Sequence, residues 1–269
     1  MDIFFLKLLL SFITGAAVVV GITTVSERVS TKLGGILTGI PSTAVIALLF
    51  IAWAQGDAVA IESTYAMTLG ISAASLFVVV YFLSLGRFGR SFVPSIILSL
   101  GAWLVIAVPA ATSKHGIPIA FAVFLPVFLT MFYFVIYANK QNPQGKKPKA
   151  EFSELITRAI FGGLVISLAV VAARFAGPLY GGVFGTFPAV FSSTFIILHS
   201  KHGPEFMREF MRTIPLGSFS GFAFAVSANH FCQLYGVLSG IIVAYGVAML
   251  ALITSWTLLE KLTAQKTKF

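Results

Sequence analysis

Residues 32–41 read KLGGILTGIP and residues 179–188 read LYGGVFGTFP: each time two adjacent glycines, a third glycine a few residues on and then a proline, set in apolar sequence. Inside a membrane helix a proline removes one backbone hydrogen bond and frees a carbonyl one turn earlier. That defect must be satisfied by protein or by a water-filled cavity. Glycines at the same place let a backbone or a ligand come close. Hydroxyls follow each proline, Ser42 and Thr43 in the first stretch and Ser192, Ser193 and Thr194 in the second; they can bond the freed carbonyls or coordinate a solute. The chemistry on offer is the binding of a small polar or ionic solute by uncharged groups. The expected pathway is Gly35, Gly39, Pro41, Ser42, Thr43, Gly182, Gly185, Pro188, Ser192, Ser193 and Thr194. The competing reading makes the same residues a packing device, with glycines for close contact and prolines for kinks.

Ionisable residues in the apolar stretches are few. Glu62 has no basic residue in its own loop, which suits a proton or cation role. Glu209 has Arg212 three residues away on the same helical face, and Glu62, Glu209 and Arg212 are the gating or coupling candidates. Arg174 reads as a cation reaching to the interface. His199 and His202, on either side of Lys201, read as a surface cluster at a membrane boundary, and His230 as interfacial. Two histidines three apart can share a metal on a helix, but no third ligand stands nearby and Gly203-Pro204 is expected to end that helix. Cys232 is the only cysteine, which excludes an intrachain disulfide and a cysteine metal cluster. No carboxylate cluster or Ser/His pair stands in the apolar stretches, and the glycine pairs lack the Lys and Ser/Thr of a phosphate cradle. The chain is therefore expected to be no enzyme and to need no metal or cofactor.

The elements that hold these residues are membrane spans. Of 269 residues, 58% are hydrophobic and 10% charged, and the mean hydropathy is +0.96, far from a soluble domain. Breaks at charged and Gly/Pro clusters divide the chain into nine spans, near 3–25, 33–54, 58–85, 92–110, 117–138, 154–176, 178–200, 206–230 and 234–259. The first lacks a basic stretch before it and is long, so a retained span is expected rather than a cleaved signal peptide. With nine spans, Lys7, Lys114 and Arg174 fall on one side and the other fifteen of the eighteen Lys and Arg on the opposite side. Because basic residues collect on the cytoplasmic face, this predicts a multi-pass cell-membrane protein with its N-terminus outside and its C-terminus in the cytoplasm. The net charge of +9 then implies anionic lipid headgroups as partners rather than nucleic acid. The oligomeric state stays open, a homodimer included.

Sliding the sequence by 147 residues aligns 11–81 on 158–228 without a gap, with 12 of 71 positions identical. Gly15/Gly162, Gly34/Gly181, Gly35/Gly182, Pro41/Pro188, Gly56/Gly203, Glu62/Glu209 and Gly70/Gly217 are among them, positions where backbone geometry or charge matters more than bulk. Five spans precede the second copy, so the copies enter the membrane in opposite directions. The expected fold is an all-α integral membrane protein of two inverted four-helix repeats: residues 1–110, a connecting span and basic loop over 111–153, and residues 154–269.

The stretches GGILTGIPSTAVIALLFIAWAQGDA and GGVFGTFPAVFSSTFIILHSKHGPEF resemble a pattern in duplicated prokaryotic polytopic membrane proteins of unassigned function, over the second and third spans of each half. The architecture is similar to inverted-repeat transporters such as the drug and metabolite transporter superfamily, though that plan has five spans per half where this one reads as four, one and four. The expectation is a secondary transporter working by alternating access at a midplane site. A channel, a lipid scramblase or a non-transporting scaffold subunit are its alternatives.

Overall fold

The computed structural model describes residues 3–28, 36–37, 40–88, 91–137 and 152–266; Gly34, Gly35 and Gly39 lie outside them. In chain order the helices are α1 (Ile3–Arg28), α2 (Ser42–Gln55), α3 (Asp57–Ser84), α4 (Val93–Thr112), α5 (Ile117–Met131, running on as a π-helical turn Phe132–Tyr137), α6 (Phe152–Phe175), α7 (Pro178–Gly185), α8 (Ala189–Met211), α9 (Ile214–Tyr235) and α10 (Val237–Lys266). The described residues form no strand. Seven helical stretches among them are long and apolar enough to cross a membrane: those of α1, α3, α4, α5 with its π-helical turn, α6, α7 with α8, and α10.

One expected span differs and another is described only in part. Of 33–54, residues 36–37 and 40–54 are described, α2 taking up 42 onward with 14 residues; the rest of that span lies outside the described residues. The span drawn at 206–230 is displaced: the helix breaks at Gly203-Pro204 as expected, but a second helical stretch begins there at once. Gly203 takes φ 80 and ψ −178, and Pro204 suits the first position of a new helical stretch. The chain therefore bends and continues to Met211 before α9 begins.

Burial separates a centre from a periphery. In the most apolar window of α3, 78% of residues are buried, and in that of α7 with α8, 83%; in the outer helices the share is 22–39%. The outer helices expose large apolar side chains such as Val105, Ile242 and Leu250, as a surface facing lipid tails should. The inner helices carry small and hydroxyl residues on the faces that meet other helices. Gly15 and Gly162 bring α1 and α6 together backbone to backbone: a Cβ added to either would stand 2.7 Å from the other's carbonyl oxygen.

Single glycines make the corners. Gly56 (φ 95, ψ 162) alone separates α2 from α3, and Gly236 (φ 76, ψ 169) alone separates α9 from α10. This backbone region is open essentially to glycine only.

Candidate functional site

Each proline sits at the start of a helix in almost the same conformation. Pro41 has φ −76 and ψ 42; Pro188 has φ −75 and ψ 52. Around each the chain makes a three-residue turn of the inverse γ kind. The Ser42 N–H donates to the Ile40 carbonyl at 2.8 Å, and the Ala189 N–H to the Phe187 carbonyl at 2.7 Å. The first helical bonds follow, from the Val45 N–H to the Pro41 carbonyl (3.1 Å) and from the Ser192 N–H to the Pro188 carbonyl (2.8 Å). Between them, the N–H groups of Thr43 and Ala44, and of Val190 and Phe191, find no acceptor among the described residues, as the geometry of a helix N-terminus dictates.

These two turns share a cavity of about 50 Å³. Ile40, Pro41, Thr43 and Ala44 line it from the first break, Thr186, Phe187, Pro188, Val190 and Phe191 from the second, and Ile71 and Ala74 from α3. Its polar side chains are Thr43 and Thr186, and the Thr186 hydroxyl donates to the Val183 carbonyl at 2.9 Å. No charged side chain is among the lining residues. Since a water needs roughly 10–15 Å³ on this measure, the space suits a few waters or a monatomic ion. The field there is positive, because the N-terminal ends of α2 and α8 supply it.

Of the candidate pathway residues, Pro41, Thr43 and Pro188 line this one cavity, and the other described candidates lie elsewhere. Ser42 lines a second, apolar cavity of about 350 Å³ with Val18, Val45, Ile46, Ile241, Ile242 and Tyr245. Gly182 lets α7 approach α3 so closely that an added Cβ would land on the Ser63 carbonyl, and a Cβ on Gly185 would stand 2.9 Å from that of Ala47. Both therefore serve close packing. Ser193 donates to the carbonyl of Ala189 in its own helix at 2.9 Å, while the buried hydroxyls of Ser192 and Thr194 have no partner among the described residues. Gly35 and Gly39 fall outside the described residues. Thr186, which the sequence reading passed over, stands one helical turn beyond Gly182 and aligns with Gly39.

The ionisable residues change most between sequence and structure. Glu62 does have a basic partner: Lys114, from the loop after α4, reaches it at 3.0 Å. Glu209 and Arg212 are half-buried near the end of α8, where the Arg212 N–H donates to the Glu209 carbonyl at 3.1 Å. His199 is not a surface residue. It is 1% exposed, and its Nδ1 lies 2.7 Å from the Tyr81 hydroxyl of α3. His202 and His230 are exposed. Arg174 is exposed with its guanidinium 3.9 Å from the Phe4 ring centre.

Beside His199 in the chain, Lys201 forms an ion pair with Glu154 at the start of α6. Arg158, one turn further along α6, is completely buried. Arg208 closes the end of α3, donating to the Leu85 carbonyl at 2.6 Å. The sequence counts these only among the basic residues of one membrane side. The Glu154/Arg158 pair, i and i+4 at the head of an apolar helix, was the available signal that they share a face.

Among known families, the one described as "Protein of unknown function (DUF3147)" matches residues 155–261, from α6 into α10. No curated protein matches the chain, and no solved structure does.

Proposed function

We propose that the chain is a secondary transporter, carrying a small polar or ionic solute by alternating access through the cavity between the two proline breaks. One observation carries the reading. Eight of the cavity's eleven lining residues form four pairs offset by 147: Ile40/Phe187, Pro41/Pro188, Thr43/Val190 and Ala44/Phe191. A site on the axis between two inverted repeats has that composition, since each half contributes the same positions. The duplication belongs to the proposal, and three further features support it. Pro41 and Pro188 share their backbone angles. Gly56 and Gly203 both hold the glycine-only corner. Gly15 and Gly162 touch, as equivalent positions on a two-fold axis must.

Four free N–H groups and the Thr43 hydroxyl suit a halide-sized anion or the negative end of a polar solute, with the orphan donors of the helix N-termini satisfied by the ligand. In the cell membrane the basic ends of the helices face the cytoplasm. No chemical reaction is assigned to the chain.

The test is flux into proteoliposomes of a panel of monovalent anions, cations and small organic acids, paired with thermal unfolding. A solute at 100 times its dissociation constant stabilises the folded state by about 2.7 kcal/mol. Saturable uptake, reduced in a well-folded Pro188→Ala variant, supports the transporter. Flux that rises linearly with concentration supports a channel or scramblase instead. Absence of both flux and stabilisation across the panel leaves the breaks as packing devices and the proposal overturned.

A further inference from the structure

We infer that His199, held by Tyr81, is a proton-binding site that couples protonation to the movement of α8; the coupling rests on the transport reading, the site itself on geometry. An ionisable side chain inside a span is costly to bury and marks a pathway or relay unless it is satisfied structurally. His199 is buried, and its ring meets Tyr81 both by the 2.7 Å contact and edge-on, with ring centres 6.0 Å apart. Phe195 packs over the other side of Tyr81 at 4.6 Å. The position on α8 is what makes the pair more than a core contact. His199 follows Pro188 by eleven residues, about 16 Å along the helix axis, and precedes the Gly203 bend by one turn. It stands on the one helix that links the cavity to that bend, and it ties that helix to α3, which also lines the cavity.

The proton balance is simple. Neutral imidazole has one N–H and one acceptor nitrogen, so it either accepts from or donates to the Tyr81 oxygen. Taking up one proton from water gives imidazolium, in which both nitrogens donate. Nδ1–H then points at the Tyr81 oxygen, and the Tyr81 O–H must turn to another acceptor. Charged groups of both signs stand on the elements that pack here. On α6 stand Glu154 and the buried Arg158; on α8 itself Lys201, paired with Glu154, then His202, Glu205, Arg208, Glu209 and Arg212. On α3, Tyr81 is the one titratable side chain at this level, and α4 has none. The tyrosine, histidine and cysteine of α9 lie towards its far end, as does Lys7 of α1; the other charged residues of α1, Glu27 and Arg28, end that helix at the opposite end from Lys7. Protonation therefore reverses the Tyr81–His199 hydrogen bond, a contact that ties α8 to α3, which is the sense in which a proton biases the helix.

The experiment uses the full chain in proteoliposomes. Nitrogen-15 histidine spectra identify His199 by the resonance lost in His199→Gln. A single reporter cysteine, Val190→Cys with Cys232→Ala, reads the cavity by maleimide labelling from each side of the membrane. The expected result is that His199 changes protonation state with pH, and that the ratio of inside to outside labelling changes with the same midpoint, by up to about tenfold per pH unit. His199→Gln should abolish the change, and Tyr81→Phe, which keeps the imidazole, should move the midpoint. If His199 fails to titrate, or if labelling is the same at every pH, the inference is overturned. Labelling from both sides would then still uphold alternating access. No labelling from either side at any pH overturns the transport reading and the coupling with it.

Discussion

Gly70 and Thr186 offer the most direct check on the wall of the cavity. A Cβ built on Gly70 lands on the Thr186 hydroxyl oxygen and stands 3.0 Å from the Thr186 Cβ. In an unobstructed helix interior, Gly→Ala gains about 1 kcal/mol, while overpacking costs about 1–3 kcal/mol. Because the added Cβ falls on the oxygen itself, the upper half of that cost, about 2–3 kcal/mol, applies, and Gly70→Ala should destabilise the fold by roughly 1–2 kcal/mol net. Thr186→Ala loses a hydroxyl bonded to the carbonyls of Val183 and Gly182, worth about 1 kcal/mol. In the double variant the obstructing oxygen is gone and the neighbouring Cβ needs to yield only slightly. Gly70→Ala should then be close to neutral, a coupling of at least about 1 kcal/mol in favour of the double. The assay is unfolding in mixed micelles followed by the fluorescence of the three tryptophans. Gly101→Ala is the control, since nothing lies within 4 Å of its added Cβ. Additivity within about 0.5 kcal/mol would mean that the two residues do not touch, and the cavity wall as described would be refuted.

The same unfolding measurement checks other features. Gly56→Ala and Gly203→Ala each force a side chain into a glycine-only region and should cost about 1–3 kcal/mol; a loss no larger than that of Gly101→Ala would remove the corners from the account. Tyr81→Phe removes the buried partner of His199 and should cost about 1–3 kcal/mol. Glu62→Gln, by contrast, should change stability by less than about 0.5 kcal/mol, because the side chains of Lys114 and Glu62 are 55% and 38% exposed. A larger effect would give that carboxylate a structural role that the ion pair alone does not supply.

The helices and breaks were legible because they depend on local rules. Apolar length marks a span, proline marks the start of α2 and α8, and a glycine without neighbours able to shape it marks a corner. Gly203 shows the limit of such rules. Gly-Pro reads as a stop and the helix does break at Gly203, yet a proline at a first helical position costs nothing, so the sequence left open that a second helical stretch begins at once. The ionisable residues were misread for a different reason. Tyr81 is 118 residues from His199, and Lys114 is fixed to Glu62 only once α3 and the α4–α5 connection lie side by side. His199 in a run with Lys201 and His202 looks exposed from its neighbours; burial came from α3. The hydroxyls after Pro188 share this ambiguity, because a serine that bonds its own helix, as Ser193 does, has the same sequence signature as one that faces a ligand.

The glycine at position 56 also bears on how the protein enters the bilayer. Helix α2 is too short to span the hydrocarbon core alone, and only one residue ties it to α3, the 28-residue helix that follows. With no slack between them, α2 cannot be released by the translocon and find its depth independently. Its placement is set when α3 partitions, so the two enter as a single hairpin whose short arm is carried by the long one. A chain truncated after Gln55 should leave that arm at the interface, accessible to protease, whereas one extended to Ser84 should protect it.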